Sequence, residues 1–176
     1  APTLAIDEIV RLTGGRLLAP AAAADRGAAV DSRLVEPGNL FVALEGERTD
    51  GHRYLAAAAA AGAAVLLVRA VPADQVIPRG VGVVAVPDPL AGLHAVAAGW
   101  RTRFTPLTVG VTGSIAKTST KDAVAAALAA RFVTLKSEGN QNNEIGLPLT
   151  ILRLRLEHEA AVLEMGMYVG GEIANL

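Results

Sequence analysis

The stretch "LTVGVTGSIAKTSTKDAVAAALAARF", residues 107–132, constrains the fold more than any other. Its apolar start, "LTVGV", has the length and β-branched content of a strand. The run breaks at Gly113 and resumes at Lys117 as an alanine-rich segment suited to a helix. Strand, glycine-bearing turn and helix in that order begin a βαβ unit, which requires a parallel sheet with helices on its faces. The turn also carries chemistry. Its N–H groups and the positive end of the helix dipole converge on one point, where a phosphate is stabilised. Lys117 adds a full charge there, and the Thr118 hydroxyl can ligate Mg²⁺. The spacing departs from the strict G-x-x-x-x-G-K-[ST], because Ala116 stands directly before Lys117. An ordinary turn with a solvated lysine is the competing reading.

The rest of the chain alternates in the same way. The spacing predicts a helix over residues 4–13, closed by Gly14 and Gly15, then brief strands in "GRLL" and "GAAVDSRL". A strand is expected at 40–46, a helix at 52–62, apolar strands at 63–68 and 80–89, and a helix at 90–104. Thr105–Pro106 marks a junction, so the expected domains are residues 1–104 and 105–176. In the second, strands are expected at 107–113, in "VTLKSE" and at 159–166, and a helix at 117–132. Between them lie a Gly/Asn loop, "GNQNNEIGLP", and "LPLTILRL", which reads as helical or extended. The fold class is therefore α/β with a mainly parallel sheet.

Net charge is −1 and aromatics are 3%, so neither a broad basic field nor a base-stacking surface points to nucleic acid. No apolar segment is long enough to span a bilayer, and the first residues do not read as a signal peptide. Cysteine is absent, which excludes disulfides and thiolate metal sites. A cytoplasmic monomer is expected. His52, His94 and His158 are too scattered for a zinc site.

Three blocks, "VGVTGSIAKTSTK", "SEGNQNNEIGLPLTILRL" and "AAVLEMGMYVGGEIA", occur in one order. With them the chain resembles the Mur ligases, most of all the branch that joins D-Ala-D-Ala to UDP-N-acetylmuramoyl-tripeptide. The segment "DSRLVEPGNLFVALEGERTDGHRYLAAAAAAGAAVLLV" resembles that family's uridine-nucleotide-binding domain. The resemblance implies a small N-terminal α/β uridine-nucleotide-binding domain, followed by the first part of a P-loop-type ATP-binding domain. It implies ATP and Mg²⁺ as cofactors, and an amide ligation through an acyl phosphate. It further implies that Gly113, Ser114, Ile115, Ala116, Lys117, Thr118 and Ser119 hold the ATP phosphates, and that Thr118 and Glu164 hold Mg²⁺. Lys117, Asn142 and Asn143 are implied as catalytic. Ser32, Arg33, Gly46, Arg48, Asn140, Asn142 and Asn143 are implied as substrate-binding. Taken singly, Glu164 also reads as a strand-end carboxylate facing water, and the asparagines as a turn.

Two features qualify the resemblance. In the family a glycine precedes the lysine, so the Ala116 methyl is expected to weaken ATP binding. A full ligase of the family continues with more of the central domain and a third domain, so this chain is expected to be inactive alone. The alternatives are another Mur ligase, a folylpolyglutamate synthase-like ligase, or a catalytically dead UDP-sugar-binding module.

Overall fold

The computed structural model describes residues 2–21, 23–46 and 49–166. The chain divides into two compact units, Ala1–Gly99 and Trp100–Leu176.

The first unit runs β1 (Leu4–Ala5), α1 (Ile6–Thr13), β2 (Arg16–Ala19), β3 (Ala23–Ala24), β4 (Ala28–Ala29), β5 (Leu40–Val42), α2 (Leu55–Ala60), β6 (Val65–Val68), β7 (Gly82–Ala85) and α3 (Pro89–Arg101). Its main sheet has the order β2-β7-β6-β5-β4. The β4–β5, β5–β6 and β6–β7 pairs are parallel, and β2 lies antiparallel on β7. Val65, Leu66, Leu67 and Val68 of the middle strand are all fully buried. An unbroken apolar run suits a strand covered on both faces, where alternation would place polar groups in the core. Phe41, Leu55, Ala58, Leu66 and Val83 pack together in that core. Each large side chain so buried contributes roughly 1.5–3 kcal/mol.

Two expected strands are shorter than their apolar runs. In "GAAVDSRL" only Ala28–Ala29 pairs, because the Asp31 side chain accepts the Arg33 N–H at 3.0 Å and turns Ser32–Leu34 into a 3-10 turn. A side chain that satisfies a nearby N–H competes with the sheet ladder. The strand at 40–46 stops at Val42, and the chain reverses through a bridge between Glu45 and Asp50. The antiparallel pair of β1 with β3 has no counterpart in the sequence reading.

The second unit contains β8 (Leu107–Val111), α4 (Lys117–Ala129), β9 (Thr134–Lys136), α5 (Gly146–Ile151) and β10 (Ala160–Glu164). The sheet order is β8-β10-β9, with both pairs parallel. All five residues of central β10 are buried. The small side chain of Ala125 lets α4 pack onto Val111 and Val162. "LPLTILRL" therefore starts as helix. The units divide within the last turn of α3, earlier than the Thr105–Pro106 junction. Trp100 belongs to the second unit because its indole N–H donates to the Leu154 carbonyl at 3.2 Å and its ring meets Phe104 at 5.4 Å.

Candidate functional site

β8 ends at Val111 and delivers the chain into a tight loop over residues 112–116, from which α4 starts at Lys117. Gly113 sits at φ 148 and Ala116 at φ 60, the latter being the positive-φ non-glycine among the described residues. The left-handed conformation costs an L-residue about 1–2 kcal/mol, because Cβ crowds the following carbonyl. Ala116 thus occupies a conformation that favours glycine. Among the described residues, the N–H groups of Ser114, Ile115 and Ala116 donate to no protein acceptor. Lys117 Nζ folds back to the Gly113 carbonyl at 2.9 Å, so the charge lies over the loop. Ile115 is 88% exposed at the loop's apex, and Thr118 and Ser119 follow in the first turn of α4.

Glu164 closes β10 and is 1% exposed, which overturns the reading of a strand-end carboxylate facing water. Its Oε1 accepts from Asn142 Nδ2 at 2.9 Å and from the Thr118 hydroxyl at 3.3 Å. Its Oε2 is buried and has no hydrogen-bond partner among the described residues. A buried carboxylate oxygen without a donor is costly unless a cation faces it. Lys121 Nζ lies 3.5 Å away, and Lys121 is also 1% exposed. A hard-oxygen donor set of one carboxylate and one hydroxyl fits Mg²⁺, which keeps several waters and takes few protein ligands. The donors present here therefore suit the ion.

Ser137 on the segment after β9 fixes the carboxylate's backbone, since its hydroxyl accepts the Glu164 N–H at 3.0 Å. Lys121 and Ser137 were both missed in the sequence. Lys121 was visible only as one more polar residue of a helix, and Ser137 as part of a strand end. No spacing rule marks either one.

The asparagine loop divides its work. Asn142 reaches Glu164, and its carbonyl accepts the Gly166 N–H at 2.6 Å. Asn143 Oδ1 accepts from Ile145 N at 3.2 Å and Gly146 N at 2.8 Å, which starts α5. Asn140 is exposed, and its carbonyl accepts the Asn142 N–H at 2.8 Å. The turn's left-handed residue is Gly139, at φ 51, and not an asparagine. Gln141 Oε1 accepts from the buried Thr150 hydroxyl at 3.2 Å, anchoring the loop on α5.

In the first unit, Ser32 and Arg33 form the 3-10 turn after β4. The Arg33 guanidinium folds onto Asp31, with Nε–Oδ1 at 2.9 Å and Nη2–Oδ2 at 2.5 Å. That ion pair holds the Asp31 carboxyl down to about 2. Gly46 donates its N–H to the Thr49 carbonyl at 3.0 Å, forming the neck of the loop. Arg48 lies outside the described residues. Glu45, Asp50 and His52 bring ligand atoms within 4.8 Å of one another. They do not make a metal site, because both imidazole nitrogens are engaged. His52 Nε2 accepts the Arg69 N–H at 2.8 Å, so Nδ1 carries the proton toward Asp50 Oδ1 at 2.7 Å. Glu45 is itself paired with Arg69 at 2.6 Å. His52, in the 3-10 turn directly before α2, also ties that turn to the end of β6.

Family comparisons match both units. Residues 26–101 match the Mur ligase family, catalytic domain, and residues 111–176 match the Mur ligase middle domain. UDP-N-acetylmuramoyl-tripeptide--D-alanyl-D-alanine ligase from Bacillus subtilis is 45% identical over 84% of this chain and 32% of its own length. The enzyme of that name from Synechocystis is 44% identical over 83% of this chain and 32% of its own length. Among solved structures, MurF from Acinetobacter baumannii superposes with a TM-score of 0.84 at 33% identity, covering 98% of this chain and 38% of that one. MurF ligase from Thermotoga maritima in complex with ADP gives 0.70 at 33% identity, covering 85% and 34%. The chain thus spans about a third of the length of the curated relatives it matches.

Proposed function

Because the chain belongs to the Mur ligase family, we propose that it carries the substrate-binding and first ATP-binding elements of a ligase joining D-Ala-D-Ala to UDP-N-acetylmuramoyl-tripeptide. The observation that carries this reading is the meeting of Thr118 with Glu164 beneath the loop that ends at Lys117. Three recognition elements needed for a nucleoside triphosphate, free N–H groups, a lysine and a hard-oxygen pair, come from β8–α4 and the end of β10. The reaction is two displacements. The tripeptide's terminal carboxylate takes the γ-phosphoryl from ATP, giving an acyl phosphate and ADP. The amine of D-Ala-D-Ala then attacks the acyl carbon, forming the amide and releasing phosphate.

The chain's own residues bind and orient. The N–H groups of Ser114, Ile115 and Ala116 face the phosphates, with Gly113 giving the loop its turn and Ser119 the start of α4. Lys117 leaves the Gly113 carbonyl for the β/γ-phosphates and offsets charge on the transferred group. Thr118 and Glu164 would hold Mg²⁺, which when bound neutralises charge on the phosphate oxygens. Asn142 keeps Glu164 aimed, and Asn140 with Asn143 edges the loop toward the peptide. The first unit, with the Ser32–Arg33 turn, Gly46 and Arg48, receives the uridine diphosphate end. Such an enzyme works in the cytoplasm on soluble nucleotide precursors.

Calorimetric titration tests this directly. Mg²⁺–ATP and UDP-N-acetylmuramoyl-tripeptide are each expected to bind the 176-residue chain, separately and in either order. No heat from either ligand at millimolar concentration, with the protein shown to be folded, removes the reading. The strained Ala116, at φ 60, favours one second reading, a UDP-sugar-binding module without ATP turnover. Binding of the UDP-peptide alone would select it.

A further inference from the structure

Lys121 lies three residues beyond Thr118 on α4, on the same helix face. It and Ala125 are the buried residues of that helix. A lysine is almost never fully buried unless it is paired, because its ammonium forfeits hydration. Three oxygens from three places face Nζ. The Gly139 carbonyl accepts at 2.9 Å, Glu164 Oε2 lies at 3.5 Å and Asp122 Oδ1 at 3.8 Å. Asp122 is shared with Lys136 from β9 at 2.7 Å, so among the described residues Glu164 is the carboxylate that Lys121 shares with no other cation. The Glu164 carboxylate is correspondingly divided. Oε1 receives two hydrogen-bond donors, whereas Oε2 receives none and faces the ammonium.

We propose that Lys121 is a positioning residue, a built-in counter-charge that occupies the cation side of Glu164 before the divalent ion arrives. The inference rests on the reading of Thr118 and Glu164 as the ion's holders. By gripping Glu164 and the Gly139 carbonyl together, Lys121 ties the phosphate-loop helix to the start of the asparagine loop. The carboxylate stays aimed, and the loop stays placed, in the nucleotide-free protein. The ammonium also opposes the incoming ion, which keeps the ion exchangeable between turnovers.

The test is thermal unfolding of the parent chain, K121M, K121R and the double variant K121M/E164Q, each in EDTA and in Mg²⁺ with ADP. In EDTA, K121M leaves a buried carboxylate unpaired and should melt roughly 10 °C lower than the parent. Mg²⁺–ADP should raise K121M by more degrees than it raises the parent, because the ion then supplies the missing charge. K121R keeps the charge and should behave as the parent does. K121M/E164Q has no charge to compensate and should recover most of the loss in EDTA. A lysine that merely packs would lower melting equally with and without Mg²⁺–ADP, and that result overturns the proposal. A double variant as unstable as K121M overturns it too. Should K121M not fold, a folded K121M/E164Q supports the proposal, and an unfolded one overturns it. If the parent gains nothing from Mg²⁺–ADP while the double variant recovers in EDTA, the nucleotide-site reading fails and the counter-charge role stands.

Discussion

The Thr118 hydroxyl lies 3.3 Å from Glu164 Oε1, joining two residues 46 positions apart in the chain. One lies in the first turn of α4 and the other ends the central strand of the parallel sheet. Open α/β sheets place ligand groups outside the carboxyl ends of their strands, and this pair occupies that position.

Replacing Thr118 with valine keeps the side-chain shape and removes the hydroxyl. Mg²⁺–ADP should then bind about tenfold more weakly, the lower end of losses seen when a supporting group around a metal is removed. Binding measured in EDTA should change less than binding with Mg²⁺. Equal losses under both conditions would place the hydroxyl away from the ion.

Lys117→Ala removes a charged donor from the loop. A hydrogen bond to a charged group is worth about 1.5–3 kcal/mol, so Mg²⁺–ATP affinity should fall by roughly 10–100-fold. Isothermal titration against the parent checks this. An unchanged affinity would return the loop to an ordinary turn with a solvated lysine.

Ala116→Gly relieves a residue held at φ 60. The left-handed penalty of about 1–2 kcal/mol is lifted, while glycine's extra freedom in the unfolded chain returns roughly 0.5–1 kcal/mol. Net stabilisation of about 0.5–1 kcal/mol is expected from urea unfolding, together with tighter Mg²⁺–ATP binding. A variant less stable than the parent would mean that the surrounding loop already accommodates the methyl.

The Asp31–Arg33 pair sets an acid-side dependence. The Arg33 guanidinium and N–H hold the Asp31 carboxyl down to about 2, below its value in the unfolded chain. A depressed carboxyl stabilises the fold fully above its unfolded value and loses that contribution as pH falls toward about 2. Because Arg33 is largely exposed, solvent screens the pair and its contribution to stability is small. Arg33→Ala should move the Asp31 titration, followed by carboxyl NMR shifts, up toward the ordinary aspartate range. A midpoint that stays near 2 would assign the depression to the Arg33 N–H alone.

Much of the architecture was legible in local patterns. Apolar runs such as "VLLV" became buried parallel strands, and the alanine-rich segment after Lys117 became α4. Strand ends were less legible, because the Asp31 side chain turned the chain within "GAAVDSRL" and β5 stopped at Val42, short of Gly46. The asparagine loop showed its composition but not its division of labour. Asn143 starts a helix, whereas Asn142 reaches a carboxylate 22 residues away.

The sequence by itself determined the α/β class and the strand–turn–helix order around Gly113 and Lys117, since each depends on residues adjacent along the chain. Only the tertiary structure decided that Glu164 is buried, that its Oε2 faces Lys121, and that Ser137 holds its N–H. Burial and charge pairing depend on what distant segments bring within a few ångströms. Here a helix, a loop, the segment after β9 and the end of β10 bring Lys121, Asn142, Ser137 and Glu164 together, and no period along the chain records that meeting.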